Sequence, residues 1–278
     1  MNDNLIAVED TTYGYTKQGS GEPIVLLHGF TGSSKTWENV VPNLAKEYQV
    51  ITIDLPGHGR TTGSSPKTME AFCRDLKQML IFLQIETCHL LGYSLGGRTA
   101  LSFAMYYPET VKTLILESAS PGLKTEEERK ARIEKDAKLA EQIMVNGVAS
   151  FVHYWENIPL FQSQKRLPQD VRDKIRMERM KQTEEGLANS LLYMGTGKQP
   201  SWWKQLQQVI VPVLLIAGAK DQKFVQITKE MDSQIKDAQL SIIKDTGHAV
   251  HVEQVEKFAK IVREFLREKI YIKEGARK

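Results

Sequence analysis

Cys88-His89-Leu90-Leu91-Gly92-Tyr93-Ser94-Leu95-Gly96-Gly97-Arg98-Thr99-Ala100-Leu101 decides how the rest of the chain is read. An apolar run ends in Gly-x-Ser-x-Gly, and a helix-like run begins at once. In that strand–turn–helix setting the pattern forms a nucleophile elbow, a turn tight enough to hold a serine up at the strand end. The flanking glycines remove Cβ atoms that would obstruct the turn. The bare pattern arises by chance in about one chain in ten of this length. Its weight comes from its setting and from partners elsewhere.

Working outward, further apolar, β-branched runs surround it: Ile24-Val25-Leu26-Leu27, Val50-Ile51-Thr52-Ile53, Thr113-Leu114-Ile115-Leu116, Val213-Leu214-Leu215-Ile216-Ala217 and Leu240-Ser241-Ile242-Ile243. Continuous rather than alternating apolarity suits parallel strands covered on both faces. Helix-period segments such as Met69 to Leu83 and Val255 to Lys269 lie between them. Strand–helix alternation implies an α/β fold with a mostly parallel central sheet. From about Pro121 to Gln208 the alternation stops. Charged helical segments take over: Thr125 to Met144, Val148 to Trp155, Pro168 to Gln182 and Glu185 to Met194. Thr125 and Glu128 have capping-box spacing. The expected organisation is a core made of residues 1–120 and 209–278, with 121–208 inserted as a helical cap.

The 278 residues are 41% hydrophobic and 26% charged, a globular balance with enough apolar surface for a core without disulfide or metal. Cys73 and Cys88 lack metal-ligand spacing and read as structural thiols of a reducing compartment. The first residues show no secretory signal, and no run approaches the roughly 20 apolar residues of a membrane span. A cytoplasmic protein is expected. The net charge of +3 is mild and interspersed, so nucleic-acid binding is not indicated. The basic tail, Lys269 to Lys278, reads as a solvated end. No glycine-rich phosphate loop follows a strand, and neither metal nor organic cofactor is implied.

A serine in an elbow needs a proton acceptor, which needs an orienting carboxylate, and in this fold they follow in the order Ser, Asp, His. Asp221 follows Val213 to Ala217, and Gly247-His248 follows the last strand. Both lie where parallel sheets build their sites, at the carboxyl ends of strands. Asp245 and His251 are competitors for the same roles. The backbone amides of Leu95 and Phe30, the latter in His28-Gly29-Phe30-Thr31-Gly32, are candidate oxyanion donors. His28 reads as a tie within its loop. Asp54-Leu55-Pro56-Gly57-His58-Gly59 reads as a structural turn without a third metal ligand.

Together, His28-Gly29-Phe30, Asp54-Leu55-Pro56-Gly57-His58-Gly59, Gly92 to Gly97, Asp221 and Gly247-His248 resemble the α/β-hydrolase fold superfamily. The cap narrows this. Glu117 to Leu123, Glu128 to Arg132, Phe151 to Phe161 and Gly195 to Ser201, with Arg98 four residues after Ser94, resemble a menaquinone-pathway lyase family, 2-succinyl-6-hydroxy-2,4-cyclohexadiene-1-carboxylate (SHCHC) synthase. Pro200-Ser201-Trp202-Trp203 departs slightly, since an aliphatic residue is expected before the last Trp.

The resemblance implies expulsion of pyruvate from an enolpyruvyl cyclohexene bearing succinyl and carboxylate groups, with Ser94 as a base activated by His248 and Asp221. It carries over Arg98, Arg132 and Arg179 as carboxylate-binding residues, and Tyr93 and Trp155 as pocket walls or hydrogen-bond donors. Arginine suits a polycarboxylate substrate because its fork is planar and permanently charged. Lys124 is a further candidate. On charged helices most arginines are simply solvated, so Arg129, Arg172 and Arg176 are read that way. A carboxylesterase or C–C bond hydrolase on the same scaffold is the alternative, and a catalytically inert binding module is a more distant one.

Overall fold

The computed structural model describes residues 2–275, with side chains over residues 3–269. Nine strands form one sheet among the described residues, in the order β1-β2-β4-β3-β6-β7-β8-β9, with a short β5 beside β2. Their ranges are β1 Asn2–Val8, β2 Thr11–Gln18, β3 Glu22–Leu27, β4 Tyr48–Ile53, β5 Thr62–Gly63, β6 Cys88–Tyr93, β7 Val111–Glu117, β8 Val213–Gly218 and β9 Ala238–Ile243. From β4 to β9 every pairing is parallel. β1 and β2 add an antiparallel edge.

The two faces are filled by alternate residues of the same strands. On β3, Val25 and Leu27 enter one apolar cluster and Ile24 and Leu26 the other. On β8, Val213 and Leu215 face one way and Leu214 and Ile216 the other. Period-2 projection into two cores explains why Ile24 to Leu27 and Val213 to Ile216 are apolar without a break. Helices α2 (Met69–Phe82) and α3 (Leu95–Tyr106) cover the first face. α1 (Val41–Leu44), α8 (Val250–Glu253) and α9 (Val255–Gly275) cover the second. α9 runs beyond the expected Lys269. Lys269 itself bonds Asp237 at 2.9 Å, while the side chains of the remaining tail lie outside the described residues.

The chain order reverses around β3, which lies between β4 and β6. A crevice opens at the carboxyl ends of strands at such a switch point. The loop after β3 and the turn after β6 both emerge there.

Between β7 and β8 the chain makes α4 (Glu126–Trp155), α5 (Gln169–Met180) and α6 (Glu184–Met194). The capping box is formed: Thr125 accepts from the Glu128 amide at 3.1 Å, and Glu128 accepts from the Thr125 amide at 3.1 Å. The two expected segments on either side of residues 145–147 are one element kinked at Gly147, where φ is 79° and ψ 165°. α4 and α6 bury a small core of their own, including Ile143, Phe151, Val152, Leu187 and Leu191. Helix α7 (Gln222–Asp232) follows β8.

Candidate active site

The turn after β6 holds Ser94 at φ 51° and ψ −106°, a conformation L residues rarely adopt. Its amide donates to the Glu117 carbonyl at 2.9 Å, which anchors the turn to β7. The glycines are sterically required. A Cβ on Gly92 would lie 2.2 Å from the Gly96 carbonyl oxygen, and one on Gly96 would lie 2.1 Å from that of Leu27.

Three loops converge on Ser94. His248 Nε2 lies 3.1 Å from Ser94 Oγ, and His248 Nδ1 lies 2.7 Å from Asp221 Oδ2. The carboxylate can only accept, so Nδ1 carries the proton and Nε2 presents its lone pair to the serine hydroxyl. Asp221 is fixed as the cap of α7, its Oδ1 accepting from the Phe224 amide at 3.3 Å. The residue before His248 is pinned as well, since the Gly247 amide donates to the Glu253 carboxylate at 3.1 Å. Aromatic rings of Phe224, Tyr93 and Phe161 surround the imidazole at 4.6, 5.4 and 6.2 Å.

The two competitors are placed elsewhere. Asp245 is exposed and faces Lys220 at 4.0 Å. His251 is buried against Glu117, with Nδ1 2.8 and 2.9 Å from the two carboxylate oxygens.

The amides of Leu95 and Phe30 bond no protein acceptor among the described residues, and both residues line the Ser94 cavity. Leu95 opens α3, where the first amides have no helical partner. The Gly29 carbonyl is engaged from the other side of its peptide, by the Gly32 amide at 3.0 Å and by His28 Nδ1 at 2.8 Å. A trans peptide then directs the Phe30 amide the opposite way. His28 Nε2 accepts from the Leu55 amide at 2.9 Å, so this histidine is the neutral tie that its loop position suggested. Burial holds its pKa below the ordinary histidine value. Asp54 is a structural acceptor for the Ser34 amide at 2.5 Å and the Arg60 amide at 3.1 Å.

Above Ser94 lies a cavity of about 650 Å³, walled by the core loops and by α4 and α6. Arg98, Arg132 and Trp155 line it with Ser94, Leu95, Phe30 and His248. Arg98 donates to the Met194 carbonyl at 3.0 Å and to Gln199 Oε1 at 2.5 Å, both neutral. Burial, aided by the Arg132 charge, pulls its pKa down to about 9, which leaves it cationic at neutral pH. Arg132 is different, because its Nε bonds Asp136 at 2.7 Å. Trp155 packs edge-on to Phe30 at 5.5 Å, and its buried indole N–H has no partner among the described residues. Lys124 reaches the same cavity but is tied to Glu230 and lies 4.4 Å over Trp203.

Tyr93 and Arg179 do not line this cavity. Both line another cavity of about 440 Å³, which shares Phe30 with the Ser94 cavity and is also lined by Phe161. Arg179 is only 7% exposed and stacks on Phe161 at 4.7 Å, and the same Phe161 ring lies 6.2 Å from the His248 ring. Arg129 does not line the cavity, and Arg176 pairs with Glu156 at 3.3 Å. Gln199 had no assigned role from the sequence, although it lies in one of the family-like stretches.

Against known proteins, the α/β hydrolase fold family matches residues 22–255. A protein of Bacillus subtilis named putative SHCHC synthase is 44% identical over 95% of this chain and 97% of its own length. The chain belongs to the SHCHC synthase family. An Enterobacter SHCHC synthase is 32% identical, over 92% of this chain and 97% of its own. The solved structure of MenH from S. aureus superposes with a TM-score of 0.89 at 37% identity, covering 92% of this chain and 98% of that one. A thermophilic esterase from Thermogutta terrifontis superposes at 0.87 with 27% identity, covering 97% and 99%. The shared fold therefore serves more than one chemistry, and the site must decide between them.

Proposed function

We propose that this chain is a carbon–oxygen lyase of menaquinone biosynthesis. It eliminates pyruvate from 2-succinyl-5-enolpyruvyl-6-hydroxy-3-cyclohexene-1-carboxylate to give SHCHC. The observation that carries this reading is a half-buried guanidinium, Arg98, bonded to neutral acceptors in the cavity of Ser94. A polycarboxylate needs such a cation, and a simple ester does not. Family membership supplies the substrate class.

The ring's 3-ene becomes a 2,4-diene, which fixes the bookkeeping of bonds. A proton leaves the carbon that bears the succinyl carbonyl. The double bond shifts toward the ether carbon, and the C–O bond breaks. Pyruvate leaves as its enolate, keeping the pair of the broken C–O bond, and takes up one proton at its methylene carbon, matching the one removed from the ring. In this scheme His248 accepts the Ser94 proton, and Ser94 Oγ removes the ring proton. Asp221 holds the imidazole in its Nδ1–H form and stabilises its cation. The enolate that develops on the succinyl carbonyl is held by the amides of Phe30 and Leu95, each worth about 2.7–4 kcal/mol in the transition state. Arg98 and the free fork of Arg132 bind carboxylates, and Trp155 forms a wall with its indole N–H available. Tyr93 backs the imidazole, and Arg179 supports the site through Phe161. Residues 121–208 act as the cap over a core of 1–120 and 209–278.

We also place the protein in the cytoplasm. Cys73 and Cys88 are free and buried, as a reducing compartment favours, and no described helix is long and apolar enough to cross a membrane.

The same relay could acylate Ser94, and likeness to the Thermogutta esterase favours that second reading. A lactate-dehydrogenase-coupled assay separates the two. The lyase releases one pyruvate per SHCHC formed. Rapid turnover of nitrophenyl esters with no pyruvate release would assign the esterase chemistry instead.

A further inference from the structure

We infer that Gln199 is a positioning residue that fixes Arg98 while leaving its positive charge free for substrate. The inference rests on the reading that Arg98 binds a substrate carboxylate.

The two arginines of the cavity are held in opposite ways. Arg132 is held by a carboxylate, Asp136, at 2.7 Å, so part of its charge is already answered within the protein. Arg98 is held by an amide oxygen and a carbonyl, Gln199 Oε1 at 2.5 Å and Met194 O at 3.0 Å. Both aim the guanidinium without giving it an ion pair of its own; the Asp136 carboxylate bonds Arg132 and acts on Arg98 only through space. Gln199 is itself immobilised: it is 1% exposed, and its Nε2 donates to the Ser120 carbonyl at 3.4 Å. The Ser120 carbonyl can only accept, so it orients the amide with Oε1 toward Arg98. A glutamate has nearly the same shape. It would give Arg98 a directly bonded counter-ion and would face the Ser120 carbonyl with an oxygen instead of a donor. The choice of amide over carboxylate therefore serves the ligand rather than the fold.

The test compares the full chain with Gln199→Glu and Gln199→Met. Pyruvate release gives kcat and KM, and calorimetric titration with citrate, a plain tricarboxylate probe, gives affinity without turnover. Gln199→Glu is expected to raise KM by about tenfold or more, because a like charge now faces the substrate carboxylate. Its kcat should change less than about threefold. Citrate affinity should fall by a similar factor. Gln199→Met stays neutral and should raise KM by much less than the glutamate. A KM for Gln199→Glu within about twofold of the parent would overturn the inference. So would equal KM increases in the two variants, since packing rather than charge would then be at work. If the parent chain released no pyruvate, the lyase reading would fail. The inference would still be decided by citrate, with equal affinities for parent and Gln199→Glu, or no binding to the parent, counting against it.

Discussion

Two histidine–carboxylate pairs lie at the carboxyl edge of the sheet, and only one of them is hydrogen-bonded onward to a serine hydroxyl. His248 bonds Asp221 at 2.7 Å, and its other nitrogen meets Ser94 at 3.1 Å. His251 bonds Glu117 at 2.8 Å, and its other nitrogen is buried with no partner among the described residues. Trp37 and Tyr93 pack on the His251 ring at 4.7 and 4.6 Å. Glu117 also accepts from the His251 amide at 3.0 Å, so this pair locks the start of α8 against β7. The same two groups are hydrogen-bonded in line with a serine hydroxyl in one place, where we propose a proton relay, and form an internal tie in the other. What differs is whether the second nitrogen meets an acidic hydrogen: that of His248 faces the Ser94 hydroxyl, and that of His251 meets no polar group among the described residues.

The largest effect should come from breaking the first pair. His248→Ala is expected to lower kcat for pyruvate release by about 10⁴-fold, near the upper range for a lost base. Thermal unfolding should show the fold intact. Asp221→Asn should cost less, about 10²- to 10³-fold, because the imidazole remains but its tautomer is no longer enforced. If either variant kept activity within about tenfold of the parent, the relay would not run through these residues.

A pair of histidines without a carboxylate partner, His28 and His58, sharpens the contrast through pH. His58 is neutral, with Nδ1 on the Pro56 carbonyl at 3.0 Å and Nε2 accepting from the Thr31 amide at 3.3 Å. Burial, together with nearby His28, pulls its pKa down to about 3. The unfolded chain takes up this proton near pH 6.5, and the folded chain does not until about pH 3. Stability is therefore fully present above pH 6.5 and declines steadily below it. Urea unfolding at pH 7 and pH 5 should differ by about 2 kcal/mol from His58 alone, with His28 adding in the same direction. A flat profile over that range would contradict neutral burial.

The smallest effect belongs to the second pair. Glu117→Gln keeps one acceptor for His251 but loses the charge, and should cost about 1 kcal/mol, or about 2–4 °C in Tm. Its kcat should stay within about tenfold of the parent. A loss as large as that of Asp221→Asn would make the two pairs equivalent in function.

Much of this was legible in the sequence, for identifiable reasons. The central strands declare themselves because both faces are covered, so β3, β4, β6, β7 and β8 carry successive apolar residues, and the edge strand β9 showed itself by Leu240, Ile242 and Ile243 although most of it is only half-buried. The antiparallel hairpin β1–β2 escaped because its residues alternate. Thr12, Tyr15 and Lys17 are partly or fully exposed between buried neighbours such as Tyr13 and Thr16. Gly147 was visible only as a gap between helical segments, since sequence does not say whether a glycine ends a helix or kinks it. At the site, order and strand-end position brought out Ser94, Asp221 and His248. Which arginine meets which cavity was not legible. Arg132 lines the Ser94 cavity, and Arg179, matched to the family in the same way, stacks on Phe161 in another cavity. That distinction depends on how α4 and α5 pack. Gln199 was hidden for another reason: a glutamine announces no chemistry until the charge it faces is known.

The central claim is that Ser94 removes the ring proton, and single-turnover pyruvate release by Ser94→Ala tests it most directly. The account predicts a rate about 10³- to 10⁴-fold below the parent, with substrate still bound. Pyruvate release within about tenfold of the parent would contradict it and move the base elsewhere in the cavity.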